Sequence, residues 1–212
     1  TIRLPNSSAV TLLPGYEEGA WWVQDFSSAL PVKMLGNLKG LRVLDLCAAP
    51  GGKTAQLINA GAQVTALDIS APRLQTLRSN LLRLGLEAEE IICADALDYL
   101  QNFAGQPFDA ILMDAPCSAT GTLRRHPEIA HIKTLGDVAK MAALQQQMLA
   151  AANPALKPGG RLVYCTCSLS RDEGENQISH LLENSSDFKL VSLQSLIPDL
   201  SLIHISEPTR LG

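Results

Sequence analysis

Two cysteines in this sequence combine polar neighbours with a position just after an apolar run, a setting in which a thiol can do chemistry. Cys117 lies in DAPCSATG, residues 114–121, and Cys167 lies in CTCS, residues 165–168. Proline, serine and threonine neighbours at a strand end favour partial exposure, and an exposed thiolate is a nucleophile. A lone cysteine is more often a small buried hydrophobe, so the presence of two such motifs is what favours reactivity.

A metal site is the competing use of these cysteines. Cys165 and Cys167 flank a single residue, and no C-x-x-C pair or His/Cys set completes a tetrahedral site. On an alternating strand Cys165 shares a face with Cys167 but lies deeper, so we interpret it as a core residue. The five cysteines are scattered, so we expect core or reactive thiols, no disulfide framework and no metal.

The elements that must position these thiols alternate between strand and helix patterns from residue 42 onward. Strands are predicted over RVLDL, QVTALD, EIICAD, FDAILMD and RLVYCTC, with DFKLVSL as a sixth candidate and KPGG as the turn into the fifth. Helices are predicted over residues 53–61, 71–84 (capped by Ser70), about 137–153, and after a capping box, SRDE, at residues 170–173. This alternation predicts an α/β fold with a mostly parallel, doubly wound sheet. Since parallel strands end at one edge, Cys117 and Cys167 are predicted to converge in one cleft.

The glycine-containing turn DLCAAPGGKT, residues 45–54, joins the first strand to the first helix, where α/β proteins hold nucleotides. A P-loop needs glycine where Cys47 stands, and a dinucleotide site needs spaced glycines, whereas Gly51 and Gly52 are adjacent. A nucleoside cofactor without phosphates, S-adenosylmethionine, fits better, with Asp68 accepting the ribose hydroxyls and Asp95 the adenine amino group. Each aspartate alone is equally consistent with an ordinary strand end. Three at consecutive strand ends, counting Asp114, favour the cofactor site.

Together these motifs resemble the RNA (cytosine-5)-methyltransferases of the Nop/Sun family. LDLCAAPGGKT, FDAILMDAPCSATGTLRRHPEI, LKPGGRLVYCTCSL and the upstream WWVQDFSSALPV carry the resemblance, over about residues 12–185. It implies a Rossmann-like methyltransferase fold, S-adenosylmethionine as cofactor, and 16S ribosomal RNA as substrate. Transfer RNA enzymes of the same family are the alternative substrate class. A non-catalytic cofactor-binding RNA scaffold, and a redox or metal protein using Cys165 and Cys167, are the rival functions.

The resemblance also implies residue roles. Cys167 is the nucleophile that adds to carbon 6 of cytosine, Cys117 assists release of the adduct, and Asp114 bonds the N3 or amino edge of the base beside the cofactor. Lys53 helps to hold the cleft together, with a solvated surface lysine as its plain alternative. The implied cofactor-binding residues are Cys47, Ala48, Ala49, Pro50, Gly51, Gly52, Lys53, Asp68, Asp95 and Asp114.

A basic turn follows the first cysteine motif. Arg124, Arg125 and His126 suit contact with RNA phosphates, although a solvated surface turn is an equally good interpretation of three charged or polar residues. The family continues with an Ile-Lys-Trp-like stretch where this chain has IAHIK, which is a departure at the local RNA contacts.

Composition bounds the remaining expectations. The 212 residues are 46% hydrophobic and 18% charged with a net charge of −4, and no apolar run reaches the roughly 20 residues that cross a bilayer. We expect a cytoplasmic monomer with no membrane partner, divided into a lead-in flap (1–41), a methyltransferase domain (42–200) and a tail (201–212) that is not native. The chain is expected to be a fragment that lacks the family's helical RNA-binding domain and its terminal strand, with LSLIHI as a stand-in for that strand.

Overall fold

The computed structural model describes residues 9–191, whose core is a parallel sheet of five strands in the order β3-β2-β1-β4-β5. The strands are β1 (Arg42–Leu46), β2 (Gln63–Asp68), β3 (Glu90–Cys93), β4 (Phe108–Asp114) and β5 (Leu156–Cys165). β1, β2 and β4 are almost entirely buried, as continuous apolar runs predict for strands covered on both faces. The predicted doubly wound α/β fold is confirmed.

Helices cover both faces of this sheet. Within residues 9–191 they are α1 (Phe26–Met34), α2 (Gly52–Asn59), α3 (Ala71–Arg83), α4 (Ala96–Gln101), α5 (Ile129–Ile132), α6 (Leu135–Ala151) and α7 (Glu175–Asn184). Val32, Leu57 and Leu77 from α1, α2 and α3 share one apolar cluster, whereas Leu100 of α4 and Met148 of α6 belong to the cluster on the opposite face. No helix in this part of the chain is long and apolar enough to span a bilayer.

The strand order reverses at β1, which lies between β2 and β4. Leu46 of β1 is in register with Met113 of β4, and Asp114 is in register with Cys165 of β5. The loops that follow these three strands therefore start side by side at the carboxyl edge of the sheet, where α/β proteins build their sites.

The fifth strand differs from the prediction. KPGG was expected to turn the chain into the strand, but β5 begins before it, at Leu156. Phe108 pairs with Leu156 and Ala110 with Arg161, so residues 157–160 bulge out of the ladder. Gly159 has a left-handed φ of 77°, and a Cβ on Gly160 would lie 2.9 Å from the Asp109 carbonyl oxygen, which is why glycines stand there.

Other elements also differ from the prediction. β3 ends at Cys93 because Asp95 already caps α4, a helix that the sequence analysis did not predict. α6 begins at Leu135, since Thr134 and Asp137 form a capping box. Residues 187–191 of the sixth-strand candidate DFKLVSL form no strand, whereas its last two residues, the LSLIHI segment and the tail lie outside the described residues.

The described part of the lead-in packs into the same core as the sheet. Leu35 and Leu38 are each only 1% exposed, and α1 contacts both α2 and β5. The Arg161 guanidinium of β5 donates to the Leu35 carbonyl oxygen at 2.8 Å. The lead-in thus forms part of the wall beside the glycine-containing turn, and a division at residue 42 stays a prediction.

Candidate active site

The glycine-containing turn between β1 and α2 is held against β2 by its own backbone. The Ala48 N–H donates to the Leu67 carbonyl oxygen at 3.0 Å, and the Ala49 N–H donates to Asp68 Oδ2 at 3.1 Å. Gly51 has a φ of 101°, and a Cβ there would lie 2.9 Å from Leu77 Cγ, so only glycine fits. A Cβ on Gly52 would meet nothing within 4 Å, so the backbone at Gly52 borders open space.

The two aspartates expected to bind the nucleoside also have structural tasks. Asp68 is 1% exposed, and it accepts N–H groups from Ala49 and from Ser70 (2.9 Å) while the Arg73 guanidinium lies 3.4 Å away. Asp95 is exposed, and its Oδ1 caps α4 by accepting the N–H groups of Leu97 and Asp98. Asp95 Oδ2 has no hydrogen-bond partner within residues 9–191, which leaves it directed to solvent or to a ligand.

A buried acid beneath the turn was not singled out from the sequence. Asp45 of β1 is 0% exposed, its Oδ2 accepts the Thr54 hydroxyl at 2.7 Å, and its Oδ1 has no partner in the described structure. Burial raises the pKa of Asp45 to about 7, against the opposing effect of the Thr54 hydrogen bond. The sequence signal is a carboxylate inside the apolar run RVLDL.

Lys53 joins the turn to the end of β4. Its Nζ lies 2.8 Å from Asp114 Oδ2 and 3.2 Å from Ser28 Oγ of α1, and the Lys53 side chain is only 15% exposed. Burial lowers the pKa of Lys53, whereas the negative charge of Asp114 and its hydrogen bond to Lys53 raise it by more, so the net shift of the pKa is upward. Lys53 is therefore a fixed cation of the cleft and not a solvated surface lysine.

The two predicted reactive thiols meet. Cys117 Sγ and Cys167 Sγ lie 3.3 Å apart, with Cys117 half-buried and Cys167 exposed. The hydrogen bond between the thiols lowers the pKa of Cys117 to about 7 and raises the pKa of Cys167, because the pair shares one proton and stabilises one thiolate. Burial raises the pKa of Cys165 well above its ordinary value, and that thiol packs against the core.

The loops that carry the two thiols are bound to each other. The Gly121 N–H donates to the Cys167 carbonyl oxygen at 2.8 Å, and the Leu169 N–H donates to Thr120 Oγ1 at 2.9 Å. A Cβ on Gly121 would lie 2.7 Å from that carbonyl oxygen, so the close approach requires glycine.

Comparison with known protein families identifies the family of this chain. A sequence profile described as 16S rRNA methyltransferase RsmB/F matches residues 32–207. The chain belongs to the RsmB/F family. The predicted resemblance to the Nop/Sun methyltransferases is thereby confirmed.

Individual RsmB/F relatives are similar over most of this chain. Ribosomal RNA small subunit methyltransferase B of Pseudomonas syringae is 47% identical over 188 residues, which are 87% of this chain and 42% of that protein. The Vibrio cholerae protein of the same name is 44% identical over 204 residues, which are 95% of this chain and 47% of that protein. The chain spans about half the length of the curated relatives it matches.

Solved structures share the RsmB/F-type fold. NSun6 from Pyrococcus horikoshii, solved with SFG, superposes with a TM-score of 0.75 at 32% identity, over 83% of this chain and 45% of that one. A methyltransferase homologue from the same organism gives a TM-score of 0.72 at 35% identity, over 84% of this chain and 56% of that one.

The basic turn of this RsmB/F domain lies on the surface beside the thiol loops. Arg124, Arg125 and His126 are all exposed, and they follow the 3₁₀ turn Thr120–Thr122. The Arg125 guanidinium lies 2.6 Å from Asp25 Oδ2, and His126 Nδ1 lies 3.1 Å from Glu128 Oε1. Their predicted RNA contacts stay a prediction.

One more element of the RsmB/F site departs from the sequence analysis. SRDE was interpreted as a capping box, but the Ser170 hydroxyl accepts the Asp172 N–H, and the Glu173 carboxylate instead bonds Ser118 and Ser168. These serines follow the two thiols directly in the sequence, and no local spacing indicates that Glu173 contacts them.

Within residues 9–191, no cluster of three or more His, Cys, Asp or Glu side chains is arranged to hold a metal ion.

Proposed function

We propose that this chain is the catalytic part of an enzyme that transfers a methyl group from S-adenosylmethionine to carbon 5 of a cytosine in RNA, with 16S ribosomal RNA as the substrate. The observation that carries the proposal is the pair of thiols 3.3 Å apart at the carboxyl edge of the sheet. Carbon 5 of cytosine is a poor nucleophile, and addition of a thiolate at carbon 6 activates it. The family membership and the names of the relatives support the same reaction class.

The residues around the turn between β1 and α2 fit S-adenosylmethionine by their chemistry. Asp68 and Asp114 are the last residues of β2 and β4, and Asp95 follows β3 by two residues. Carboxylates repel a polyphosphate but suit hydroxyl, amino and sulfonium groups. Asp95 keeps one oxygen without a partner in the described structure, and the space at Gly52 is open. We assign residues 47–53 with the three aspartates to the cofactor site. The neighbour solved with SFG, an analogue of S-adenosylmethionine, supports this assignment.

When bound, S-adenosylmethionine supplies the methyl group as an electrophile. When the pair is singly ionised, the hydrogen bond from Cys167 favours the thiolate on Cys117 and the proton on Cys167. As Cys167 Sγ forms its bond to carbon 6, its proton passes to Cys117 Sγ, 3.3 Å away, and the electron pair of the 5,6 double bond makes carbon 5 nucleophilic. Cys117 is the base of this first step.

Release of the product reverses these roles. After carbon 5 is methylated, its proton is lost to solvent and the carbon 6–sulfur bond breaks, which restores the aromatic base. The departing Cys167 sulfur takes back the proton held by Cys117, so Cys117 acts as the acid for the leaving thiolate. Without Cys117 the covalent adduct persists.

We assign Asp114 to binding of the target base. Its Oδ2 is ion-paired with Lys53, and its side chain remains 37% exposed towards the cleft. A carboxylate there accepts a hydrogen bond from the amino group or from a protonated N3 of cytosine, which stabilises the ring as sulfur adds. Lys53 fixes the orientation of Asp114.

RNA reaches this cleft as an unstacked base, because a base inside a helix cannot expose carbon 6 to a thiol. Arg124, Arg125 and His126 border the thiol loops and supply contacts to flanking phosphates. We propose a monomer that acts in the cytoplasm, where bacterial ribosomal RNA is modified. We further propose residues 42–200 as its catalytic domain, with residues 1–41 as the lead-in.

A denaturing gel tests the assignment of the two thiols. Protein is incubated with S-adenosylmethionine and a 16S ribosomal RNA transcript, and covalent protein–RNA adducts are resolved by their mobility. Cys117→Ala forms its adduct more slowly, because Cys167 must lose its proton to solvent, but then retains the adduct, whereas Cys167→Ala forms none. Cys93→Ala, which removes an exposed thiol of β3, behaves like the parent protein. The reverse pattern for Cys117 and Cys167 would exchange their roles. An adduct with transfer RNA but not with ribosomal RNA would identify transfer RNA as the substrate.

A further inference from the structure

Glu173 is a buried carboxylate that lies beneath the two thiols. Its side chain is 0% exposed, and it belongs to the short 3₁₀ turn Arg171–Glu173 that precedes α7. Oε1 accepts the Ser118 N–H at 2.8 Å and the Gln145 amide of α6 at 3.1 Å. Oε2 accepts the Ser168 hydroxyl at 2.5 Å and also the Ser118 hydroxyl. Both oxygens are thus fully used by donors from three separate segments.

The Glu173 carboxylate connects the two loops that carry Cys117 and Cys167. Ser118 follows Cys117, and Ser168 follows Cys167, so one carboxylate binds the residue next to each thiol. The Gln145 amide also donates to the Pro116 carbonyl oxygen at 2.8 Å, on the other side of Cys117. The loop contacts of Gly121 and Leu169 link the same two segments farther along them.

We propose that Glu173 is a positioning residue that fixes the distance between the Cys117 and Cys167 sulfur atoms by clamping the two loops from below. This inference rests on the proposed function, in which the two thiols exchange a proton. Glu173 touches neither sulfur in the described contacts, and it acts through Ser118 and Ser168.

A carboxylate suits this task better than an amide does. Glu173 accepts four hydrogen bonds, from the Ser118 N–H, the Gln145 amide and the Ser118 and Ser168 hydroxyls. Glutamine keeps one oxygen for these donors, and its NH₂ group would face the two hydroxyls, which must turn their protons away to accept, so the charge-assisted bonds that hold the two loops are lost. No Lys, Arg or His side chain within residues 9–191 forms an ion pair with Glu173, so its charge is stabilised by neutral hydrogen-bond donors. Burial raises the pKa of Glu173, but the hydrogen bonds from Ser118 and Ser168 outweigh burial and lower it, which keeps the clamp ionised.

The charge and the clamp have opposite effects on Cys117, which makes them separable. The negative charge of Glu173 by itself raises the pKa of Cys117, whereas the Cys167 thiol that the clamp holds in place lowers it more strongly. Loss of the charge alone would lower the pKa of Cys117. Loss of the clamp separates the thiols and raises that pKa.

The test compares Glu173→Gln with Glu175→Gln, the same substitution two residues along at an exposed glutamate that pairs with Arg171. Two readouts need neither RNA nor cofactor. One is the rate at which diamide oxidises the two thiols to an intramolecular disulfide, with diamide reduced to the hydrazine. The other is the pKa of Cys117 from the pH dependence of its alkylation, resolved by peptide mass spectrometry.

For Glu173→Gln we expect disulfide formation to slow roughly tenfold, since hydrogen bonds to a charged group are lost, and the pKa of Cys117 to rise. Glu175→Gln leaves both values at those of the parent protein. Unchanged values in Glu173→Gln, or a lower pKa of Cys117, would overturn the clamp. If Glu173→Gln cannot be purified as a folded protein, Ser168→Ala removes one donor and is expected to shift both readouts in the same directions by less.

The clamp and the proposed function fail in different ways. If methyl transfer and adducts are absent but Glu173→Gln still separates the thiols, the clamp stands and the reaction is wrong. If adducts form as proposed while the thiol readouts of Glu173→Gln match the control, the reaction stands and Glu173 has no positioning role.

Discussion

The sulfur atoms of Cys117 and Cys167 lie 3.3 Å apart although fifty residues separate them along the chain. They meet because β4 and β5 are parallel neighbours that end together, with Asp114 opposite Cys165. At this distance one thiol donates to the sulfur of the other, so the acidity of each depends on the presence of its partner.

Removal of one thiol is therefore expected to change the acidity of the other. In Cys167→Ala the pKa of Cys117 rises from about 7 towards roughly 8.5, because the S–H donor that stabilises its thiolate is lost. The pH dependence of iodoacetamide labelling at Cys117 measures this shift. Cys93→Ala is the control, and a Cys117 pKa that stays near 7 in Cys167→Ala would contradict the pairing.

Asp45 is expected to make the folded state less stable as the pH rises. Its pKa is raised to about 7 in the folded protein, so between about pH 4 and pH 7 the folded state holds a proton that the unfolded state has lost. The free energy of unfolding falls across that window, and Asp45→Asn removes the fall, a relative gain of up to roughly 4 kcal/mol at pH 8.

Urea unfolding of both proteins from pH 4.5 to 8 measures the difference between them at each pH. Glu87→Gln, at an exposed glutamate, is the matched control for loss of a carboxylate. A difference between Asp45→Asn and the parent protein that does not grow with pH would mean that Asp45 is ionised throughout.

Lys53 is expected to matter more for the reaction than for stability. Lys53→Met leaves Asp114 without its cation, so the base-binding carboxylate loses its orientation, and we expect adduct formation to slow by about 10–100-fold. The pair is partly exposed, so the loss of stability should be about 1–2 kcal/mol. Single-turnover methylation and thermal unfolding measure the two effects. An unchanged rate with a large loss of stability would make Lys53 purely structural.

Gly121 is expected to be sensitive to a single added methyl group. In Gly121→Ala the Cβ would lie 2.7 Å from the Cys167 carbonyl oxygen, so the Cys167 loop must move, at about 1–3 kcal/mol. Disulfide formation with diamide should slow as the sulfur atoms separate. Gly136→Ala in α6, where the nearest heavy atom is 3.5 Å away, should be neutral or stabilising. Equal behaviour of the two variants would argue against the close approach.

Arg124 is expected to contribute to RNA affinity without contributing to chemistry. Arg124→Ala removes a charge from the exposed turn beside the thiol loops, so RNA binding weakens. The plot of the logarithm of the association constant against the logarithm of salt concentration becomes less steep, by about one in the magnitude of its slope. Arg171→Ala, at an exposed arginine paired with Glu175, is the control. Filter binding over a series of salt concentrations measures the slope, and identical slopes for Arg124→Ala and the parent protein would place the RNA elsewhere.

The sheet, and the edge of it that carries the two thiols, follow from the pattern of residues along the chain. Apolar runs alternating with amphipathic helices dictate parallel strands, and parallel strands bring their carboxyl ends together. The loop at Gly51 and the two thiol motifs are therefore assigned to one edge by the sequence pattern. The capping signal at Ser70 was equally local and equally visible.

The contacts between side chains at that edge depend on the packed three-dimensional arrangement. The clamp by Glu173 and the ion pair of Lys53 with Asp114 join residues 55 and 61 positions apart, and such contacts depend on strand order and register, which no local spacing encodes. The raised pKa of Asp45 comes from its complete burial, which the apolar run RVLDL indicates but which is achieved only when helices cover both faces of the sheet.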